Sequence, residues 1–161
     1  MTEKPAPQAL LEYLEGHQRD FYRLAYRYTK NPDDALDVVQ EAIAKAIAKS
    51  GKLRRAESMR VWFYRILVNE ALSLLRRSKR QSPEELPADL PEQALPDVPA
   101  RLDLLRALDR LPPPVRTVIL LRYFEDLKLE DIARVTRTNP NTVKTRLYRG
   151  LKLLRTEMSE E

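Results

Sequence analysis

The sequence predicts an all-α fold: two small helical domains joined by a Pro-rich linker. Three observations carry this. Apolar residues recur at i, i+3, i+4 and i+7 in several stretches, while strictly alternating patterns are few. The 161 residues hold only three glycines and are rich in helix formers. Two helix starts of one kind stand far apart, Asn31-Pro32 and Asn139-Pro140. In each the Asn side chain can cap, and the proline takes the first helical position, where a missing N–H costs nothing.

Residues 1–9, with Pro5 and Pro7, read as a disordered lead-in. Leu10 to Thr29 reads as one helical region with Leu11, Leu14, Phe21, Leu24, Ala25 and Tyr28 at near-helical spacing. His17 sits among polar neighbours and reads as an ordinary surface histidine. From Asn31 a second helix opens with Asp33 and Asp34, which its N-terminal dipole favours. Ala35, Val38, Val39, Ala42, Ile43, Ala46 and Ile47 form its core stripe. Asp37, Gln40 and Glu41 lie opposite. Asp37 and Glu41 are like charges four apart, a small destabilisation in a lone helix. Either they face water or a basic partner relieves them; spacing alone leaves both open.

Ser50 to Met59 reads as a basic loop with Arg54 and Arg55, and Gly51 ends the helix before it. Val61 to Arg77 is a long helix with Phe63, Leu67, Ala71, Leu74 and Leu75 inward. Its other side carries Trp62, Arg65, Ile66, Asn69, Ser73, Arg76 and Arg77. An aromatic ring beside cations can hold unpaired nucleic acid, the ring stacking a base and the cations following phosphates. Equally, Trp62 can pack against the first helix while the arginines face water.

Residues 78–100 change character, with Pro83, Pro87, Pro91, Pro96 and Pro99 among acidic residues. Proline blocks helix interiors, so this stretch reads as a linker. Fully extended it reaches roughly 70 Å at ~3.3 Å per residue, about two turns of duplex DNA. Residues 101–157 then form a second domain. Arg101 to Arg110 is a short helix with Leu102, Leu105 and Leu108. Pro112 to Pro114 stop it and open the next, Val115 to Phe124, with Val118 and Ile119 inward. Leu127 to Val135 and the helix after Asn139 make a helix-turn-helix, in which the small Ala133 permits a close crossing. On the last helix Val143, Leu147, Leu151 and Leu154 share one side. Asn141, Thr142, Lys144, Thr145, Tyr148, Arg149 and Lys152 occupy or flank the other. Such a helix can bury one face and lay the other in a major groove. Gly150 on the buried side costs about 1 kcal/mol against alanine, so close packing is expected there.

Composition excludes much. No cysteine means no disulfide and no thiolate metal site, and a single histidine leaves no His-based metal cluster. There is no phosphate-cradling glycine loop. Asp33, Asp34 and Asp37 could in principle hold Mg²⁺, but the helix dipole already accounts for their place. No catalytic residue, metal, cofactor or small-molecule substrate is expected, and the chain does not read as an enzyme. No apolar run spans a bilayer and no signal-peptide pattern opens the chain. The formal net charge of +5 suits a polyanionic partner.

With these residues in view, the chain resembles the extracytoplasmic-function sigma factors, the two-domain promoter-specificity subunits of bacterial RNA polymerase. The likeness rests on residues 31–46 and 62–77 in the first half and 111–133 and 141–155 in the second. Residues 19–28 and 123–133 look closest to its sigma-V type. The resemblance implies that the helix with Asp37, Val38, Gln40 and Glu41 grips the clamp helices of the polymerase's largest subunit. The loop with Arg54 and Arg55 would capture a flipped base of the −10 element. Trp62, Arg65, Asn69, Arg76 and Arg77 would hold the unpaired strand beside it. Asn141, Thr142, Lys144, Thr145, Tyr148 and Arg149 would read the −35 element. Gly150 stands where the family commonly has alanine.

The implied function is promoter recognition and melting as a subunit of core RNA polymerase, in a stress response. The partners are core polymerase, promoter DNA and a membrane-bound anti-sigma factor, and the expected place is the cytoplasm. The competing reading is a stand-alone helix-turn-helix regulator that binds operator DNA without polymerase.

Overall fold

The computed structural model describes residues 6–53, 59–81 and 99–159, and every regular element among them is helical. The chain divides into two compact units, Met1–Glu85 and Leu86–Glu161. Residues 82–98, which hold most of the expected linker, lie outside the described residues, as do Arg54 and Arg55.

The first unit is built from α1 (Ala6–Gly16), α2 (Gln18–Thr29), α3 (Pro32–Ala48) and α4 (Met59–Gln81). Helix starts at Ala6, so residues 6–9 are not the disordered lead-in expected. Pro7 falls in the first turn, where it removes no internal hydrogen bond. The expected single helix over residues 10–29 is two helices, broken at His17, whose backbone is non-helical. Gly16, the residue before the break, is a poor helix former. The inward pair on α1 is Leu10 and Leu14, four apart; Leu11 lies about 100° away and is exposed. Helix α4 runs past Arg77 to Gln81, because the sequence has no glycine or proline to interrupt it over that stretch.

Helices α2, α3 and α4 pack on one another. Their centre is aromatic: the Phe21 and Phe63 rings lie 4.5 Å apart, and Tyr64 meets Phe21 edge-on at 6.1 Å. Such tilted pairs add to simple area burial. Asn31 caps α3 as expected, its Oδ1 accepting from the Asp34 N–H at 2.9 Å. The buried stripe of α3 is Ala35, Val38, Val39, Ala42 and Ala46. Ile47, expected inward, is 47% exposed, since it follows Ala46 by one position and so points about 100° away. Small Ala42 and Ala46 let α3 approach its neighbours closely.

The second unit contains α5 (Pro99–Asp109), α6 (Pro113–Ile119), α7 (Leu129–Thr136) and α8 (Pro140–Ser159). Pro99, assigned to the linker from sequence, instead opens α5, at a position that asks for no N–H. The expected regular helix to Phe124 widens after Ile119 into a π turn, Leu120–Phe124, closed by the Glu125 N–H on the Leu120 carbonyl at 3.2 Å. Asp126, in the left-handed region at φ 58°, then reverses the chain. The reversal buries Leu127 and leaves Tyr123 exposed.

Helices α5, α6 and α7 all pack against α8. Every residue from Val115 to Leu121 is buried. Gly150 sits against two of them. A Cβ built there would lie 2.9 Å from Val115 Cγ1 and 2.9 Å from Ile119 Cδ1 and Cγ1. The expected close packing is therefore present, and β-branched neighbours yield little. Gly150→Ala should lower the stability of this unit by about 1 kcal/mol, because overpacking of ~1–3 kcal/mol outweighs a propensity gain of ~1 kcal/mol. Chemical denaturation checks this, and Ile119→Val should cost less in the Gly150→Ala background than alone.

Candidate nucleic-acid interface

Three faces carry the residues that the sequence singled out. The first is on α8. Arg137 ends α7 in the left-handed conformation at φ 57°, and the Thr138 N–H donates to the Ala133 carbonyl at 3.0 Å. This is the helix-ending turn that glycine usually supplies. Asn139 then caps α8, its Oδ1 accepting from the Asn141 N–H at 2.7 Å. Ile132, Ala133 and Val135 of α7 are buried, as are Val143, Leu147, Gly150 and Leu154 of α8. With that side fixed, Asn141, Lys144, Thr145, Tyr148 and Arg149 are exposed and Thr142 is half-buried. Tyr148, 66% exposed, is a large ring held mostly in water. Sequence reasoning missed Arg137. Its exposed cation sits in the turn beside this face, and only its backbone geometry marks it.

The second face is on α4. Asn69, Arg76 and Arg77 are exposed, while Trp62, Arg65 and Ser73 are half-buried. The Arg76 guanidinium donates to Ser73 Oγ at 3.3 Å. Half-burial of Trp62 is compatible with packing and with base stacking alike, and does not decide between them. Arg60, one turn earlier, was not singled out from sequence. It lies exposed with its guanidinium 5.3 Å from the Tyr64 ring centre, a cation–π contact at the same end of α4.

The third face is a groove of about 450 Å³ between α3 and α4. Asp37, Gln40, Glu41 and Lys45 line it from α3, and Glu70, Leu74 and Arg77 from α4. Val38 also lines it. At 3% exposure, however, its side chain belongs to the core and gives the groove an apolar base rather than a group to grip. Arg77, grouped with Trp62 from sequence, shares this groove with the carboxylates. Lys45 Nζ is hydrogen-bonded to Glu70, and that bond raises its pKa above the ordinary lysine value. Beside the groove, Leu36, Ile43 and Ile47 follow i, i+7, i+11 spacing on α3, a partly exposed apolar row that sequence reasoning had assigned in part to the core.

Because Lys45 is held protonated more firmly in the fold, its stabilisation is fully present below the unfolded lysine pKa and is lost as pH rises through the raised value. Lys45 is 43% exposed, so the pair contributes at most about 1 kcal/mol. Glu70→Gln should therefore lower stability by less than about 1 kcal/mol. Denaturation at several pH values should show that deficit unchanged from about pH 6 to pH 9 and shrinking only above 10.5.

Comparison with known proteins bears on both units. Residues 14–81 match the family described as sigma-70 region 2, and residues 101–154 match sigma-70, region 4. The chain is 46% identical to the RNA polymerase sigma factor SigV of Bacillus subtilis (strain 168), over all of this chain and 98% of that one. It is 34% identical to the ECF RNA polymerase sigma factor SigE of Mycolicibacterium smegmatis, over 89% of this chain and 59% of that one. Among solved structures it is similar to the sigma factor RpoE in complex with the anti-sigma factor NepR from Bartonella quintana. The TM-score there is 0.74 at 26% identity, covering 94% of this chain and 95% of that one.

Proposed function

The chain belongs to the sigma-70 family of RNA polymerase sigma factors, in its extracytoplasmic-function group, and from that premise we propose how its three faces divide the work. Sigma factors of this family are initiation factors that bind core RNA polymerase and promoter DNA; the polymerase makes and breaks the bonds. Both blocks are present in order, which removes the reading as a stand-alone helix-turn-helix regulator.

The α8 face reads the −35 element. Its exposed Asn141, Lys144, Thr145, Tyr148 and Arg149 can reach base edges and phosphates once the helix lies in a major groove. Thr142 stands half-buried at the edge of the contact. This is the assignment that one observation supports most directly: the same helix buries Val143, Leu147 and Gly150, so only the polar side can turn outward. The α4 face, with Arg54 and Arg55 before it, holds the −10 element after it opens. A trapped unpaired base draws the melting equilibrium forward by mass action. Trp62 supplies stacking, Asn69 a hydrogen-bonding amide, and Arg65 and Arg76 follow phosphates.

Core polymerase docks at the groove. Asp37, Gln40 and Glu41 present carboxylates and an amide, and the partly exposed row Leu36, Ile43 and Ile47 offers apolar area beside them. A basic, apolar partner surface would relieve the Asp37–Glu41 repulsion and cover that row. Arg77 stands between this groove and the α4 face, so we place it at the seam of the two contacts. In this scheme the first unit, helical from Ala6 to Gln81, serves core and −10, the stretch between Gln81 and Pro99 is the tether, and the helices from Pro99 to Ser159 serve −35.

The solved relative bound to an anti-sigma factor supports inhibition of this chain by a protein of that class. We take that inhibitor to span the membrane, holding the chain there until a stress signal releases it into the cytoplasm. Among the described residues no helix is long and apolar enough to cross a membrane, so in this proposal the inhibitor supplies the attachment.

Reconstituted transcription tests the core of this reading: polymerase plus this chain should initiate at promoters of its own regulon, and no initiation at any of them would overturn it. Arg149→Ala should weaken binding to −35 duplex and reduce the salt slope by about 0.9, the value of one phosphate contact. An unchanged slope would take Arg149 off the phosphates. Trp62→Ala should slow open-complex formation more than it weakens the closed complex; equal losses in both would assign Trp62 to packing.

A further inference from the structure

Helix α2 has a face that none of these roles uses. Its core side is Phe21, Leu24, Ala25 and Tyr28, all buried. On the opposite side, at ~100° per residue, Arg19, Tyr22, Arg23, Tyr26 and Lys30 fall within about 100° of one another. Arg19 and Arg23 are exposed, and the tyrosines are half-buried. The two tyrosine rings stack, 6.1 Å between centres and 26° between planes. From Arg19 to Lys30 the sequence holds one carboxylate, Asp20. The result is a pair of flat rings beside exposed cations.

We propose that this face of α2 is a second contact for unpaired DNA, with Tyr22 and Tyr26 as the stacking platform and Arg19 and Arg23 on the phosphates. Charge complementarity and ring geometry favour this occupant. Duplex DNA hides its base faces, so a stacked aromatic pair gains nothing from it, whereas a single strand offers a π-face at every base. A protein partner of the kind that suits the acidic groove would be basic and would be repelled here. The contact is separate from the α4 assignment and does not need it.

Holoenzyme assembled from core RNA polymerase and the full chain, titrated with fork-junction promoter DNA, tests the inference. The fork carries either a short or a long unpaired tail, and anisotropy reads affinity across salt concentrations. Arg19→Gln with Arg23→Gln changes only exposed side chains, so the fold is kept. This pair should remove most of the long tail's advantage and make the salt slope shallower by about 1.4, two phosphates at ~0.7 each for a single strand. Tyr22→Leu keeps apolar volume but loses the flat ring; it should cost about fivefold or more in long-tail affinity with the slope unchanged. Wild-type binding of both tails by both variants would overturn the proposal. So would loss of core-polymerase association with tail binding intact, which would mark α2 as a protein-docking face. Trp62→Ala separates this from the α4 reading. A loss there with the α2 variants intact overturns the α2 contact, and the reverse overturns the α4 assignment.

Discussion

The approach of α8 to α6 leaves no room for a side chain at Gly150 unless Val115 and Ile119 shift. Val115 and Ile119 already stand 2.9 Å from where a Cβ would be. Their β-branched shapes hold few rotamers, so the contact sets how closely α8 lies on the bundle and which of its sides faces in. Everything assigned to the second unit follows from that rotation. Val143, Leu147 and Leu154 turn inward with Gly150, and Lys144, Thr145, Tyr148 and Arg149 turn out. Two polar devices fix the entry to the helix: the Arg137 left-handed turn and the Asn139 cap. A recognition surface of short polar and basic groups thus rests on an apolar fit between neighbouring helices.

The first unit applies the same one-sidedness to a helix that must serve two surfaces. Helix α3 spends its small residues on the core, so its larger apolar residues, Leu36 and Ile47, are left at the surface. Large exposed apolar groups beside carboxylates are unfavourable for a free chain and favourable for one with a partner. Lys45 moderates the groove's charge without erasing it: its ammonium is tied to Glu70, while Asp37 and Glu41 stay exposed along the groove.

Fold class, both capped helix starts, the helix-turn-helix and the polar face of α8 were legible in the sequence, because each rests on local rules: periodicity, a cap, a proline. The close contact at Gly150 was legible too, since a mid-helix glycine on a buried side needs a reason. What was not legible depends on neighbours. Val38 falls on the core stripe by periodicity and on the docking face by resemblance; packing buries it to 3% exposure while it still lines the base of the groove. Ile47 repeats Ile43 at four residues, but the stripe that packs runs through Ala42 and Ala46, and Ile47 is left 47% exposed. The π turn after Ile119 has no local signature, because the residues from Val115 to Leu121 are all buried and leave no one-sided pattern for an inserted residue to shift. Helix ends were misjudged where no breaker stood nearby, as from Ser78 to Gln81.

Charge is segregated in this chain more than its net +5 conveys. Carboxylates gather on α3, and cations line the outer faces of α2, α4 and α8. Uniform mixing would give the same net charge but no preference for where a nucleic acid or a protein settles. With segregation, a polyanion approaching α3 is repelled and one approaching α2 or α4 is drawn in. A basic protein surface meets the opposite bias. The two classes of partner are therefore steered to different helices before any specific contact forms, and occupation of one face leaves the others available. That is what a factor needs if it must hold an enzyme and an opened promoter at once. Arg77, placed in the acidic groove at the end of the basic helix, is where the two fields meet.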